Sequence, residues 1–279
     1  MRSLTRALLV PTVLAAVAAG ASLTTGVSAT AADAPDRSAV ASARAGKYTA
    51  TIKASRVSLD VGERLVLSGK VAPAKRGTVV KLQKRLEGRT WVAEATLRTT
   101  ASGAYSYNDR PTTAGKRTYR VVVPATPGRA KGTSKPVAVT LFRWQDLTLV
   151  KSRAGSATRV TTSIAVNGAT YARGLAGYTS YDEGFVDWNF ARRCTSLRAR
   201  FGNGDESADT ATANIQLVVD GTPVFTDSFG LTESTVQTIN VTNAFRVAFK
   251  WTSSNVTGTP ENQSGAEAVM AVPLVRCSF

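Results

Sequence analysis

From Lys47 onward, β-branched and aromatic residues alternate with polar ones in short runs, and Gly, Pro and Asn separate the runs. A period of two places every second side chain on one face, the signature of a half-buried strand. Strands are predicted over 48–55, 64–71, 79–85, 91–98, 104–108, 117–123 and 137–142, with turns at Gly62, 73–77, Gly88, Gly103 and 127–132. That density of short strands suits an immunoglobulin-like sandwich. Further strands are predicted over 147–151, 163–166, 184–189, 196–201, 213–219, 224–228, 236–241, 245–251 and 266–275. Asp220-Gly221, between two of them, is the strongest hairpin signal in the chain. No helical apolar period of useful length occurs. The stretch 141–150 lacks Gly and Ser, so a short, stiff joint is expected there, with Trp144 packed at the interface.

The N-terminus reads differently. Arg2 and Arg6 precede an apolar run over 7–21, and small residues follow up to Ala31. This is the pattern of a signal peptide over 1–31, too short in its apolar core to span a bilayer. Residues 32–46, rich in Ala, Ser and Arg, read as a flexible leader. The expectation is a secreted, extracellular protein held in association with the cell wall.

Charge and residue inventory narrow the chemistry. The net charge is +16, and residues 47–151 hold 21 Lys and Arg against 6 Asp and Glu. A field so concentrated attracts polyanions. There is no histidine. Ser-His and Cys-His nucleophile pairs, His-ligated zinc and the usual neutral-pH general base are therefore unavailable. No Lys has a Ser three residues before it, which closes the Ser-x-x-Lys route. The two cysteines, Cys194 and Cys277, read as one disulfide in an oxidising compartment, with a pair of buried free thiols as the alternative.

Val57, Leu59, Val61-Gly62-Glu63, Leu65, Leu67 and Gly69, followed by Gly77, Val79, Leu82, 100–107 and 114–119, resemble the small Ig-like domains of actinobacterial surface proteins. Farther on stand Val166-Asn167-Gly168, Tyr171, Gly174-Leu175, Trp188-Asn189, Arg192-Arg193-Cys194, Phe201-Gly202, the acidic turn 204–209, Gln216, Asp220-Gly221, Val224-Phe225, Phe249 and Arg276-Cys277. Their order and spacing resemble the novel putative carbohydrate-binding module (NPCBM) family over about 145–279. This resemblance implies a jelly-roll β-sandwich that recognises a glycan without cleaving it. The chain departs from the family at Gly177-Tyr178-Thr179, where many members carry a His-Ala turn, and it lacks their late Asp-Trp element. The fold class expected is therefore all-β, an Ig-like β-sandwich over 47–143 followed by a jelly-roll-type β-sandwich over 144–279.

A sugar site combines an exposed aromatic face with converging polar groups. Two loops offer these, one with Tyr178, Tyr181, Asp182 and Glu183, the other running from Trp251 through Asn255 to Asn262. Either could equally be solvated loop. Trp188 and Phe190 alternate as core residues, and Arg192 and Arg193 suit salt bridges. Lys81, Lys84, Arg85, Lys116 and Arg117 are candidates for polyanion binding, with anionic wall polymers preferred to nucleic acid. Tyr119 and Trp91 read as a corner tyrosine and a core or edge aromatic. Asp205, Glu206 and Asp209 could bind calcium through oxygen, although a solvated turn fits their spacing better. The same carboxylates, with Asp182, Glu183 and Asp187, could serve a glycoside hydrolase, but nothing pairs two of them. Asn240 and Asn255 head glycosylation motifs. The expected function is non-catalytic glycan binding. A structural or adhesive envelope protein is the rival, and a hydrolase comes third.

Overall fold

The structure, a computed structural model, describes residues 46–254 and 264–279. The expected signal peptide, the leader except its last residue, and Asn255 lie outside the described residues. In chain order the main strands are β1 (Ser58–Asp60), β2 (Leu65–Ala72), β3 (Val79–Leu86), β4 (Val92–Arg98), β5 (Ala104–Asp109), β6 (Gly115–Val123) and β7 (Val137–Asp146). After a 3-10 turn at Leu147–Leu149 come β8 (Ala154–Ser156), β9 (Thr158–Thr161), β10 (Gly174–Gly177), β11 (Glu183–Asn189) and β12 (Cys194–Asn203). The last are β13 (Thr212–Val219), β14 (Thr222–Phe229), β15 (Ser234–Asn240), β16 (Arg246–Ser254) and β17 (Ala268–Cys277). The described chain is all-β apart from that turn.

Two hydrophobic cores form. In the first, β7, β6, β3 and β4 lie side by side, and β2 pairs with β5 in the facing sheet. Period-two alternation sends Leu65, Leu67, Val80, Leu82, Tyr119, Val121, Val139 and Leu141 into one cluster. In the second, the sheet β8-β11-β16-β13-β14 faces a sheet built from β9, β10, β17, β12 and β15. Trp188, Ile215, Phe249, Trp251, Leu197 and Phe201 fill the space between them. Burying one such side chain contributes about 1.5–3 kcal/mol. A short hairpin, Ile164–Val166 with Ala169–Tyr171, covers the outside of β10 and β17 through Ala176, Val269 and Ala271.

The joint is a strand. The first part of β7 pairs with β6, while Arg143 to Asp146 pair with Cys277 to Leu274 of β17. Backbone hydrogen bonds thus hold the connection, and no aromatic plug is needed: Trp144 is 41% exposed rather than packed as expected. Beside the crossing, Arg276 Nε lies 2.7 Å from Asp60 Oδ1, and the same guanidinium sits 4.3 Å from the Phe142 ring centre. Arg193 approaches Glu87 at 3.5 Å.

Cys194 and Cys277 form the disulfide, joining the start of β12 to the end of β17 across 83 residues. In the chain-entropy view a loop of that size stabilises the fold by about 4–5 kcal/mol. A buried carboxylate immediately precedes β17. Glu267 is 3% exposed and pairs with Arg159 at 2.6 Å. Its carboxyl packs where only a glycine leaves room, against Gly204. Burial first, and the neighbouring Glu206 second, push its pKa up to about 7 from 4.5, against the pull of Arg159.

Two outcomes are expected. Replacing both cysteines by serine lowers the melting temperature by about 10 °C, read by thermal denaturation of the unreduced protein. Because the folded pKa of Glu267 is raised, its stabilising contribution is complete below about pH 4.5 and is lost as pH rises through 7. Urea titrations at pH 5 and pH 8 should show the natural protein losing more stability than Glu267→Gln. Identical losses in the two proteins would rule this account out.

Candidate functional site: a polar groove across the second sandwich

The inward set of the five-stranded sheet fixes the outward one. Val186 and Trp188 of β11, Val247, Phe249 and Trp251 of β16, and Ala213, Ile215 and Leu217 of β13 are buried. Their neighbours in sequence therefore lie on the outer face, where Asp187, Val218 and Ala248 are themselves covered. Register aligns these outward residues in rows across the strands. One row runs Ser156, Phe185, Lys250, Gln216, Thr226. The next runs Glu183, Thr252, Asn214, Ser228. In that second row the Ser228 hydroxyl donates to Asn214 Oδ1 at 2.8 Å, and Asn214 Nδ2 donates to Ser254 Oγ at 3.2 Å.

These rows enclose a cavity of about 400 Å³ lined by Ser156, Glu183, Phe185, Gln216, Lys250 and Thr226, among others. A second cavity of about 310 Å³ shares Phe185 and Lys250 and is bordered by Arg153, Asp187, Asp220 and Arg246. Between them Phe185 supplies a half-buried apolar face ringed by hydroxyl, amide, ammonium and carboxylate groups. That is the composition of a groove able to stack a sugar ring and hydrogen-bond its rim.

Glu183 and Asp187 are too far apart to act as a pair. Glu183 and Asp187 stand four residues apart on β11, about 13 Å along the strand. Paired glycosidase carboxylates lie about 5–9.5 Å apart. Asp187 is also committed, accepting from Arg153 Nη2 at 2.5 Å and from the Ala154 amide at 3.1 Å.

The residues expected from the sequence meet different fates. Tyr178 and Tyr181 are exposed, with ring centres 6.2 Å apart and the Arg159 guanidinium 5.2 Å from the Tyr178 ring. Asp182 stands beside the same loop, its carbonyl accepting from the Ser253 amide, and Glu183 opens into the groove. Trp251 is a correction: it is 2% exposed and belongs to the core. Its indole lies against Gly177 and Gly184, where a Cβ would come within 2.7 Å of the ring, and its Nε1 donates to Thr158 Oγ1 at 3.0 Å. Phe185, Lys250, Gln216, Asn214 and Thr226 were not singled out by sequence reasoning. Their only signal is outward phase in neighbouring strands, and register is needed to bring them together.

In the acidic turn, Asp205 Oδ2 accepts from the Gly168 amide at 3.0 Å, and Glu206 sits 3.3 Å from Arg159. Among the described residues no group of three or more acidic, His or Cys side chains converges as metal ligands do.

The basic residues also divide. Lys81, Arg85 and Lys116 are exposed, and Lys84 pairs with Glu94 at 2.6 Å. Arg117 is a second correction. It is 5% exposed, alternating inward with Tyr119 and Val121, and its Nη2 donates to the Thr113 carbonyl at 2.6 Å. In its place Arg120 joins Arg85, their guanidiniums 4.1 and 4.8 Å from the Trp91 ring.

No curated protein matches the chain. Among solved structures, it is similar to the CBM51-2 and INT domains of Clostridium perfringens ZmpB, in complex with GlcNAc. Identity there is 12%, over 66% of this chain and 44% of that one, with a TM-score of 0.39. The chain thus spans under half the length of that structure. It is also similar to CBM51 from Clostridium perfringens GH95, in complex with methyl-galactose, at 11% identity over 47% and 99% of the two chains and a TM-score of 0.36. A CBM36 module in complex with calcium and xylotriose follows at 17% identity, 46% and 97% coverage, and a TM-score of 0.26. The NPCBM/NEW2 domain matches residues 132–259, a stretch that begins ahead of β7 and takes in every strand of the grooved sheet.

Proposed function

We propose that the second sandwich binds a glycan in the groove over Phe185 and does not cleave it. The observation that carries this reading is the row Ser156, Phe185, Lys250, Gln216, Thr226 beneath a cavity of about 400 Å³, inside a segment that matches the NPCBM/NEW2 domain. The signal-like segment 1–31 supports secretion, and the facing sheets of the first core support an Ig-like spacer over 47–143. A second role is favoured by the Arg85, Trp91 and Arg120 cluster, with Lys81 and Lys116 beside it: retention on anionic envelope polymers by this basic face.

Affinity electrophoresis of the full chain through plant, fungal and wall glycans tests the first role. At least one glycan should retard it, and Phe185→Ala should weaken that binding about tenfold, the loss of roughly 1.4 kcal/mol of stacking. The ring lies half-buried on the outer face, so its loss should lower the melting temperature by no more than a few degrees. Mobility unchanged by every glycan would defeat the reading. For the basic face, retention on a teichoic or uronic polymer should collapse between low and high salt and weaken in Arg85→Gln/Arg120→Gln. Retention indifferent to salt would exclude an electrostatic anchor.

A further inference from the structure

The charges in the groove do not cancel one another. Arg153 is held by Asp187 at 2.5 Å. The Asp220 carboxylate is occupied by the backbone amides of Phe245 and Arg246, at 3.1 and 2.7 Å. Glu183 stands in a different row, opposite Thr252. Of the charged groups, Lys250 alone lines both cavities; Arg246 borders only the second, and among the described residues neither takes part in an ion pair.

Its position is unusual for a lysine. Strand β16 is the middle one of the five, with β11 on one side and β13 on the other. Lysines protect exposed sheet edges and are otherwise scarce in strands. Here Lys250 is flanked in register by Phe185 and Gln216, one strand away on each side, about 4.8 Å. A sugar ring resting on Phe185 thus carries its substituents over the ammonium, with the Gln216 amide beyond to take a hydroxyl.

Building on the proposed glycan reading, we infer that the groove selects an acidic glycan and that Lys250 recognises the anionic substituent of the sugar lying on Phe185. A carboxylate or a sulfate satisfies the same chemistry. Glu183, one row away, disfavours the opposite placement of that anion.

The test uses the full chain carrying Arg85→Gln/Arg120→Gln, which removes the separate basic face. Dissociation constants are measured by calorimetry for galactan, polygalacturonate and a sulfated galactan. The expected pattern is a preference of about tenfold or more for one acidic polymer over the neutral one. Lys250→Gln should erase that preference, Lys250→Arg should keep it, and Phe185→Ala should weaken all binding. The polymer preferred separates carboxylate from sulfate. A preference that survives in Lys250→Gln, or a neutral polymer bound best, overturns this inference and leaves the groove standing. Binding absent for all three polymers overturns this inference alone, whereas binding untouched by Phe185→Ala overturns the groove as the site and this inference with it.

Discussion

The Trp251 indole, inserted against Gly177 and Gly184 and hydrogen-bonded to Thr158, anchors the phase of strand β16. A strand has a period of two, so a slip of one residue would exchange its faces. With Val247, Phe249 and Trp251 in the core, Arg246, Ala248, Lys250 and Thr252 have no alternative but the outer face. The neighbours inherit that phase through their ladders. Phe185 is opposite Lys250 because Trp188 is buried with Val247, and Gln216 is opposite Lys250 because Ile215 and Leu217 point inward. The polar surface is thus a by-product of core packing, set by residues that no ligand would touch.

Much of this was legible in the sequence, and the failures are instructive. Alternation located most of the main strands but missed β1, β8, β9 and β10 and made a strand of the 3-10 turn at Leu147–Leu149, and the two cysteines pointed to their bond. Trp251 was read as the start of a loop platform, although it continues the inward series Val247, Phe249. Arg117 was read as a surface cation, although it stands in phase with Tyr119 and Val121. In both cases chemical type was given more weight than strand phase, and phase prevailed because a strand set in a packed sheet leaves its side chains no choice of face. The groove itself was not legible. Its residues lie on five strands spread over 156–252, and pairing register, a long-range property, is what gathers them.

The two cores depend on a shared frame. β7 contributes Val139 and Leu141 to the first cluster and then pairs with the last strand of the second sandwich. Arg276 draws these parts together, its guanidinium shared between Asp60, the Thr195 hydroxyl and the Phe142 ring. The last strand is also the one that the disulfide secures and that the buried Glu267 precedes. The most constrained part of the molecule is therefore its C-terminal end, where both sandwiches meet.

The unbroken strand through the joint has a mechanical consequence. A flexible tether under tension first straightens and only then passes the pull onward. In β7 a pull meets ladders with β6 and β17 lying along the direction of load, so their bonds resist by sliding together rather than unzipping singly. A pull applied to either sandwich would therefore reach the other through paired backbone rather than through slack chain.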